Sequence, residues 1–156
     1  MIIRQAGRAD VPVLADMGQK FVRATEYLDR VANDPAHFRS LAETVINQGR
    51  VFVAEVDGEV VGMLGALMIT HPVLNERMGA EVIWWVDPAH RRGGTGAALF
   101  RAAEAWARSE GGVKMQFSAY RDRVLERLYR RLGYEAKEVI FEKELCDVEA
   151  SLADVG

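Results

Sequence analysis

Six consecutive residues, Arg91-Arg92-Gly93-Gly94-Thr95-Gly96, place three glycines and two arginines directly after a β-rich run that leaves through Asp87-Pro88. A helix is expected to start at once. This is a composition that can hold phosphate. Glycine lets the backbone approach a ligand and point several N–H groups one way, a helix start leaves unpaired donors with partial positive charge, and the arginines add full charges. A pyrophosphate would suit such a nest. The plainer alternative is a Gly-rich surface connection with its arginines in solvent.

Two common phosphate fingerprints fail on the residues. A Walker A loop needs Gly-Lys followed by Ser or Thr, and no lysine lies in or beside this turn. A dinucleotide fingerprint needs a third small residue after Gly94-Thr95-Gly96, but Ala97-Ala98-Leu99 puts leucine there, and the next strand has no acid for a ribose. Other side chains offer less. His37, His71 and His90 lack metal-site spacing, and Ser118 and Cys146 have no flanking partner that would make a covalent nucleophile.

The elements that must position the turn follow from periodicity. Ile2 to Gln5 reads as a strand, and Asp10 before Val11-Pro12 marks a helix start, with the helix running past Phe21. A second helix begins at Asp34-Pro35, turns Phe38, Leu41, Val45 and Ile46 to one face, and stops at Gly49. Val51–Val56 and Val60–Leu64 form a hairpin across Asp57-Gly58, a pair that tolerates positive φ. After a polar interval from Thr70 to Arg77, Glu81–Val86 is the strand that feeds the turn. A helix from Gly96 carries Leu99, Phe100, Ala103, Trp106 and Ala107 inward and ends at Gly111-Gly112; Val113–Phe117 alternates as a strand. A last helix, Asp122–Leu132, turns Val124, Leu125, Leu128 and Leu132 inward, and Val139–Leu145 closes the fold as a strand. The fold class is α/β.

Composition bounds the answer. At 156 residues the chain suits one domain, expected over residues 1–145 with a polar tail over 146–156. A net charge of -3 supplies no basic footprint for nucleic acid. One cysteine forms no intrachain disulfide, no apolar run spans a bilayer, and no signal peptide is evident, so a cytoplasmic protein without membrane or metal partners is expected.

Arg91, Gly94 and Gly96 reproduce the spacing Arg-x-x-Gly-x-Gly, and the chain resembles the GNAT (GCN5-related) N-acetyltransferase superfamily. The resemblance extends to the Val86-Asp87-Pro88 exit, to the helix after the turn, and to Leu128-Tyr129-Arg130-Arg131-Leu132-Gly133-Tyr134, similar to the family's Leu-Tyr-x-x-x-Gly-Phe segment. It implies the GNAT acyl-CoA N-acyltransferase fold, a mixed central β-sheet with flanking helices. It also implies acetyl-CoA as cosubstrate, with direct transfer to an amine acceptor, a small molecule or a protein. In that family the central strand splays from its neighbour and the pantetheine arm lies in the gap. Backbone groups of Trp84, Trp85 and Val86 would hold that arm, with the Trp85 amide at the thioester carbonyl. Arg91, Arg92, Gly93, Gly94, Thr95, Gly96 and Ala97 would hold the pyrophosphate.

An amine arrives protonated and must lose a proton before attack, and the resemblance puts Glu81 at the position of a general base. The open alternative is a solvated carboxylate at the strand end. Tyr129 matches the tyrosine that protonates the departing thiolate; the alternative is a tyrosine packed beside Leu125 and Leu128. Tyr134 fits an aromatic sealing the strand after Gly133. Asp122 stands where the family often has asparagine, which leaves that contact to the cosubstrate open. Acceptor choice would lie with Tyr27–Phe38 and Thr70–Gly79, where Glu26, Asp29, Asp34 and Glu76 would attract a cationic amine if they are more than solvated acids. Dimers are common for this fold, so a homodimer is compatible with it. A domain that binds acyl-CoA without turnover, as a sensor or interaction module, would carry the same turn.

Overall fold

The computed structural model describes residues 1–25, 34–119, 123–143 and 145. Glu26, Tyr27, Asp29, Asp122, Cys146 and the 146–156 tail lie outside the described residues. Contacts divide the chain into two compact units, Met1–Ser118 and Ala119–Gly156.

The first unit holds five strands, β1 (Ile2–Gln5), β2 (Arg50–Val56), β3 (Glu59–Thr70), β4 (Arg77–Val86) and β5 (Lys114–Gln116), paired in chain order. All neighbours are antiparallel except β4 and β5, which run parallel. Three helices flank the sheet: α1 (Val11–Arg23), α2 (Pro35–Gln48) and α3 (Thr95–Ser109). This is the expected mixed sheet with flanking helices. Val51, Val53, Met63 and Trp85 join Leu14 and Met17 of α1 and Ala42 and Val45 of α2 in one core. Leu99, Phe100 and Ala103 of α3 are fully buried. Burying a large aliphatic or aromatic side chain of this kind contributes about 1.5–3 kcal/mol.

Local chemistry explains the boundaries. The Asp34 carboxylate accepts from the Ala36 N–H at 2.9 Å and caps α2, with Pro35 in the first turn. Asp10 stands at the start of α1 but turns its carboxylate back to the Gly7 N–H and to Arg4. Asp57 and Gly58 both take positive φ, 51° and 85°, as a tight hairpin turn requires. Gly49 is needed for a different reason: a Cβ there would stand 2.1 Å from the Ala66 carbonyl oxygen.

Several expectations are corrected. β3 continues beyond Leu64 to Thr70 because Ala66–Thr70 keep pairing, opposite Arg77–Glu81 of β4. β4 therefore begins four residues before Glu81, which lies inside the strand and not at its end. The polar interval shrinks to the connection 71–76. There the His71 Nδ1 accepts the amides of Val73 and Leu74 at 3.3 and 3.1 Å.

In the second unit α4 spans Arg123–Arg131, and Gly133 takes φ 88° just past its end. Val124 is 69% exposed rather than inward. The repeat Leu125, Leu128, Tyr129, Leu132 already makes one helical stripe, and Val124 falls beside it. The closing strand is also corrected. Residues 139–143 form no strand, and Val139 and Phe141 are 79% and 91% exposed. Alternating apolar residues favour a strand only where a neighbouring ladder takes their backbone groups, and no described residue of this unit is a strand.

Candidate active site

β4 carries most of the candidate residues, and two irregularities shape it. The first is a bulge: Gly65 faces Ile83 while Ala66 faces Glu81, so Val82 is an extra residue on β4. The bulge breaks the alternation and re-aims Glu81 relative to the strand beyond. The second is the short pairing with β5, where Met78, Gly79 and Ala80 face Lys114, Met115 and Gln116. Among the described residues no strand pairs with β4 on that side from Glu81 onward.

Glu81 sits where the pairing ends. One carboxylate oxygen accepts the Ser118 N–H at 3.2 Å, a side-chain bond just past the last ladder pair. Burial of the carboxyl pushes its pKa up from 4.5 to about 7, against the smaller opposing pull of the Ser118 amide. Its surface is still partly open to solvent. Nothing in the sequence marked Ser118 as a covalent nucleophile; its backbone amide is what reaches the carboxylate.

Past the bulge, Trp84, Trp85 and Val86 pair with Leu64, Met63 and Gly62 of β3. Trp84 packs edge-on against Phe100 at 5.1 Å, and Phe100 stacks on Phe117 at 4.1 Å, which fixes the α3 side. Trp85 faces the opposite side and is more than ordinary packing. Its indole N–H donates to Asp87 Oδ1 at 2.9 Å, and the Arg91 guanidinium lies 4.8 Å from its ring centre. Arg91 also donates through Nε to the Val86 carbonyl at 2.9 Å. Asp87 meets Lys20 of α1 at 3.3 Å. Burial alone would depress the Lys20 ammonium, but Asp87 and Asp16 together hold its pKa above the ordinary value. The partnership of Lys20 with Asp87 had no signal in the sequence, because 67 positions separate them.

A short 3-10 turn, Pro88–His90, leads into the glycines. Gly93 and Gly94 take φ 109° and 86°, conformations that L side chains rarely adopt, and a Cβ on either would meet nothing within 4 Å. Gly96 serves another purpose: a Cβ there would lie 3.0 Å from the Trp84 ring. Gly94 is the N-cap of α3, and the first return bond runs from the Ala98 N–H to its carbonyl at 2.9 Å. The amides of Thr95, Gly96 and Ala97 come before that bond, so the helix does not use them. Arg91 and Arg92 are exposed beside this helix start and Thr95 is buried. The cradle therefore has backbone donors, a helix N-terminus, two cations and open space, the features a diphosphate needs.

Tyr129 lies on α4 in the second unit. It is buried, and its ring is 6.2 Å from that of Tyr134, whose N–H returns to the Tyr129 carbonyl at 3.0 Å. His37 lies edge-on to Phe38 at 5.4 Å. Among the described residues no group of three His, Cys, Asp or Glu side chains could hold a metal ion. Among them, too, no helix is long and apolar enough to cross a membrane.

Comparison with known proteins decides the family. A family model described as "Acetyltransferase (GNAT) family" matches residues 17–134. The chain belongs to the GNAT acetyltransferase family. The GNAT chain is 42% identical over 60 residues to N-acetyltransferase 8 of Homo sapiens, an overlap of 38% of this chain and 26% of that protein. It spans only about a quarter of that relative's length. The GNAT fold also aligns with the crystal structure of aminoglycoside antibiotic 6'-N-acetyltransferase AAC(6')-IG from Acinetobacter haemolyticus, with TM-score 0.74 and 23% identity over 94% of this chain and 100% of that one. A second aminoglycoside N-acetyltransferase, AAC(6')-Iy, in complex with CoA, aligns with TM-score 0.73 and 18% identity over 93% and 100% of the two chains.

Proposed function

We propose that this GNAT chain is an N-acetyltransferase that takes acetyl-CoA as cosubstrate and passes the acetyl group directly to an amine, without an acyl-enzyme. The observation that carries this reading is the arrangement of β4. One strand bears a carboxyl with pKa near 7 at the point where its pairing with β5 stops, and it leads into a glycine-rich helix start whose first three amides the helix does not use.

The chain's residues divide the work. The amides of Thr95, Gly96 and Ala97, with Gly93, Gly94, Arg91 and Arg92, bind the diphosphate. Backbone groups of Trp84 and Val86 face the unpaired side of β4 and hold the pantetheine arm and the negative charge that develops on the thioester carbonyl; the Asp87 N–H bonds the Val61 carbonyl at 2.9 Å, so the Trp85 amide two residues back turns to β3 as well. Glu81 removes the proton that the amine must lose, directly or through water; a group near pH 7 is half carboxylate there, as a base of this kind should be. Tyr129 returns a proton to the departing thiolate. The CoA complex of the AAC(6')-Iy relative and the match of one family model across residues 17–134 support the cosubstrate and the treatment of residues 1–145 as one functional domain. Relatives named for aminoglycosides leave the acceptor here as an amine on a small molecule or a protein. The setting assumed is the cytoplasm, with a homodimer as a compatible assembly.

Calorimetric titration with acetyl-CoA, with ATP and NAD as controls, tests the reading. Saturable binding of acetyl-CoA alone, followed by thiol release with an amine from a screened panel, is the expected result. No binding of acetyl-CoA would refute it.

A further inference from the structure

Asp87 is a charge in the wrong place for an anion site. It ends β4 a few residues before the diphosphate cradle, where a free carboxylate would repel a phosphate and compete with it for Arg91. The structure gives that carboxylate other company. Lys20, on the third turn of α1, places its ammonium 3.3 and 3.4 Å from the two Asp87 oxygens, and Asp16 lies 3.4 Å from the same ammonium one turn back. Asp87 Oδ1 also receives the Trp85 indole N–H at 2.9 Å. The Trp85 ring, fixed by that bond and 8% exposed, carries the Arg91 guanidinium at 4.8 Å, while Arg91 Nε is tied to the Val86 carbonyl at 2.9 Å. A chain of contacts thus runs from α1 through an acid and an aromatic ring to the first cation of the turn.

We propose that Lys20 is a positioning residue for acyl-CoA binding: it neutralises Asp87 and holds it on the Trp85 indole, which keeps the Arg91 guanidinium for the diphosphate. The inference rests on the reading that the turn takes the diphosphate of acetyl-CoA. Lys20 itself touches no part of the cradle. Its effect passes through the state of Asp87, so neutralising Asp87 by other means should make Lys20 dispensable. Asparagine at that position keeps an oxygen for the indole N–H and carries no charge.

The test is calorimetric titration of four full-length proteins with acetyl-CoA: wild type, Lys20→Met, Lys20→Arg and Lys20→Met with Asp87→Asn, with melting temperatures to show that each is folded. Lys20→Met is expected to bind about fivefold more weakly, the upper reach of a partly exposed ion pair. Lys20→Arg and the double variant should bind within about twofold of wild type, since one restores the cation and the other removes the charge it answers. A residue that only supported the helix would not be rescued by changing Asp87. Wild-type affinity in Lys20→Met, or a double variant as weak as Lys20→Met, would overturn the inference while leaving the cosubstrate reading in place. A wild-type protein that takes no acetyl-CoA would overturn both.

Discussion

Replacing Glu81 by glutamine should make the protein more stable and less active at once. Glutamine keeps an oxygen for the Ser118 N–H but cannot ionise. In the folded chain the carboxyl holds its proton up to about pH 7, whereas in the unfolded chain it releases it near 4.5. Between those values the native state binds more protons than the unfolded state. Stability contributed by this group therefore falls as pH rises through that window and levels off above it. At about 1.36 kcal/mol per pH unit the interval amounts to about 3 kcal/mol, reduced to the extent that solvent reaches the carboxyl. Thermal melts of wild type and Glu81→Gln should coincide near pH 4. They should separate through pH 5–7, and by pH 8.5 the variant should melt about 6 °C higher. The comparison needs no acceptor. Where an amine substrate is found, kcat/KM of the variant should fall about 100-fold and lose the rise with pH centred near 7 that a base of this pKa gives wild type. Equal melting temperatures at pH 8.5 would refute the desolvated carboxyl, and an unchanged pH profile would refute its role as base.

Gly94→Val forces a branched side chain to φ 86° at the cap of α3, which should cost about 1–2 kcal/mol of stability and weaken acetyl-CoA binding at least about tenfold. A folded variant with wild-type affinity by calorimetry would contradict the cradle. Tyr129→Phe keeps the buried ring and removes the hydroxyl, so acetyl-CoA affinity should hold while thiol release falls about tenfold or more; unchanged turnover would take the proton-donor role from this residue. Gly49→Ala sets a methyl group 2.1 Å from the Ala66 carbonyl oxygen, and urea unfolding should show a loss of about 2 kcal/mol or more; a neutral effect would mean that α2 and β3 separate there at little cost.

Features governed by neighbouring residues were legible in the sequence. The Asp34-Pro35 start of α2, the Asp57-Gly58 hairpin and the glycine-rich entry to α3 each rest on a backbone conformation that a few adjacent residues dictate, and each stands where it was expected. The three glycines of the turn answer two needs, positive φ at Gly93 and Gly94 and closeness to Trp84 at Gly96. What depended on pairing across the sheet was not legible. The start of β4 at Arg77 is set by Ala66–Thr70 of β3, and the bulge at Val82 exists only as a mismatch between two strands. The desolvation of Glu81 and the Lys20–Asp87 contact arise between distant segments, so spacing along the chain carries no trace of them. The segment at 139–143 shows the converse: its alternation predicts a strand, but alternation supplies no partner.

The run from Glu81 to Val86 also works as a ruler. Four ladder steps of about 3.3 Å, matching Ala66 to Gly62 on β3, set about 13 Å between the carboxyl's strand position and the strand exit, the fifth residue being spent on the bulge. Because both ends are on one rigid strand, the distance does not depend on loop motion or on the acyl group carried. A donor anchored by its diphosphate would present its far end at a fixed reading on that scale. Single-residue insertions or deletions between Glu81 and Val86 would shift the reading by a full step and turn alternate side chains to the opposite face. Such changes are absorbed elsewhere in surface connections, but this stretch should admit substitutions and reject changes in length.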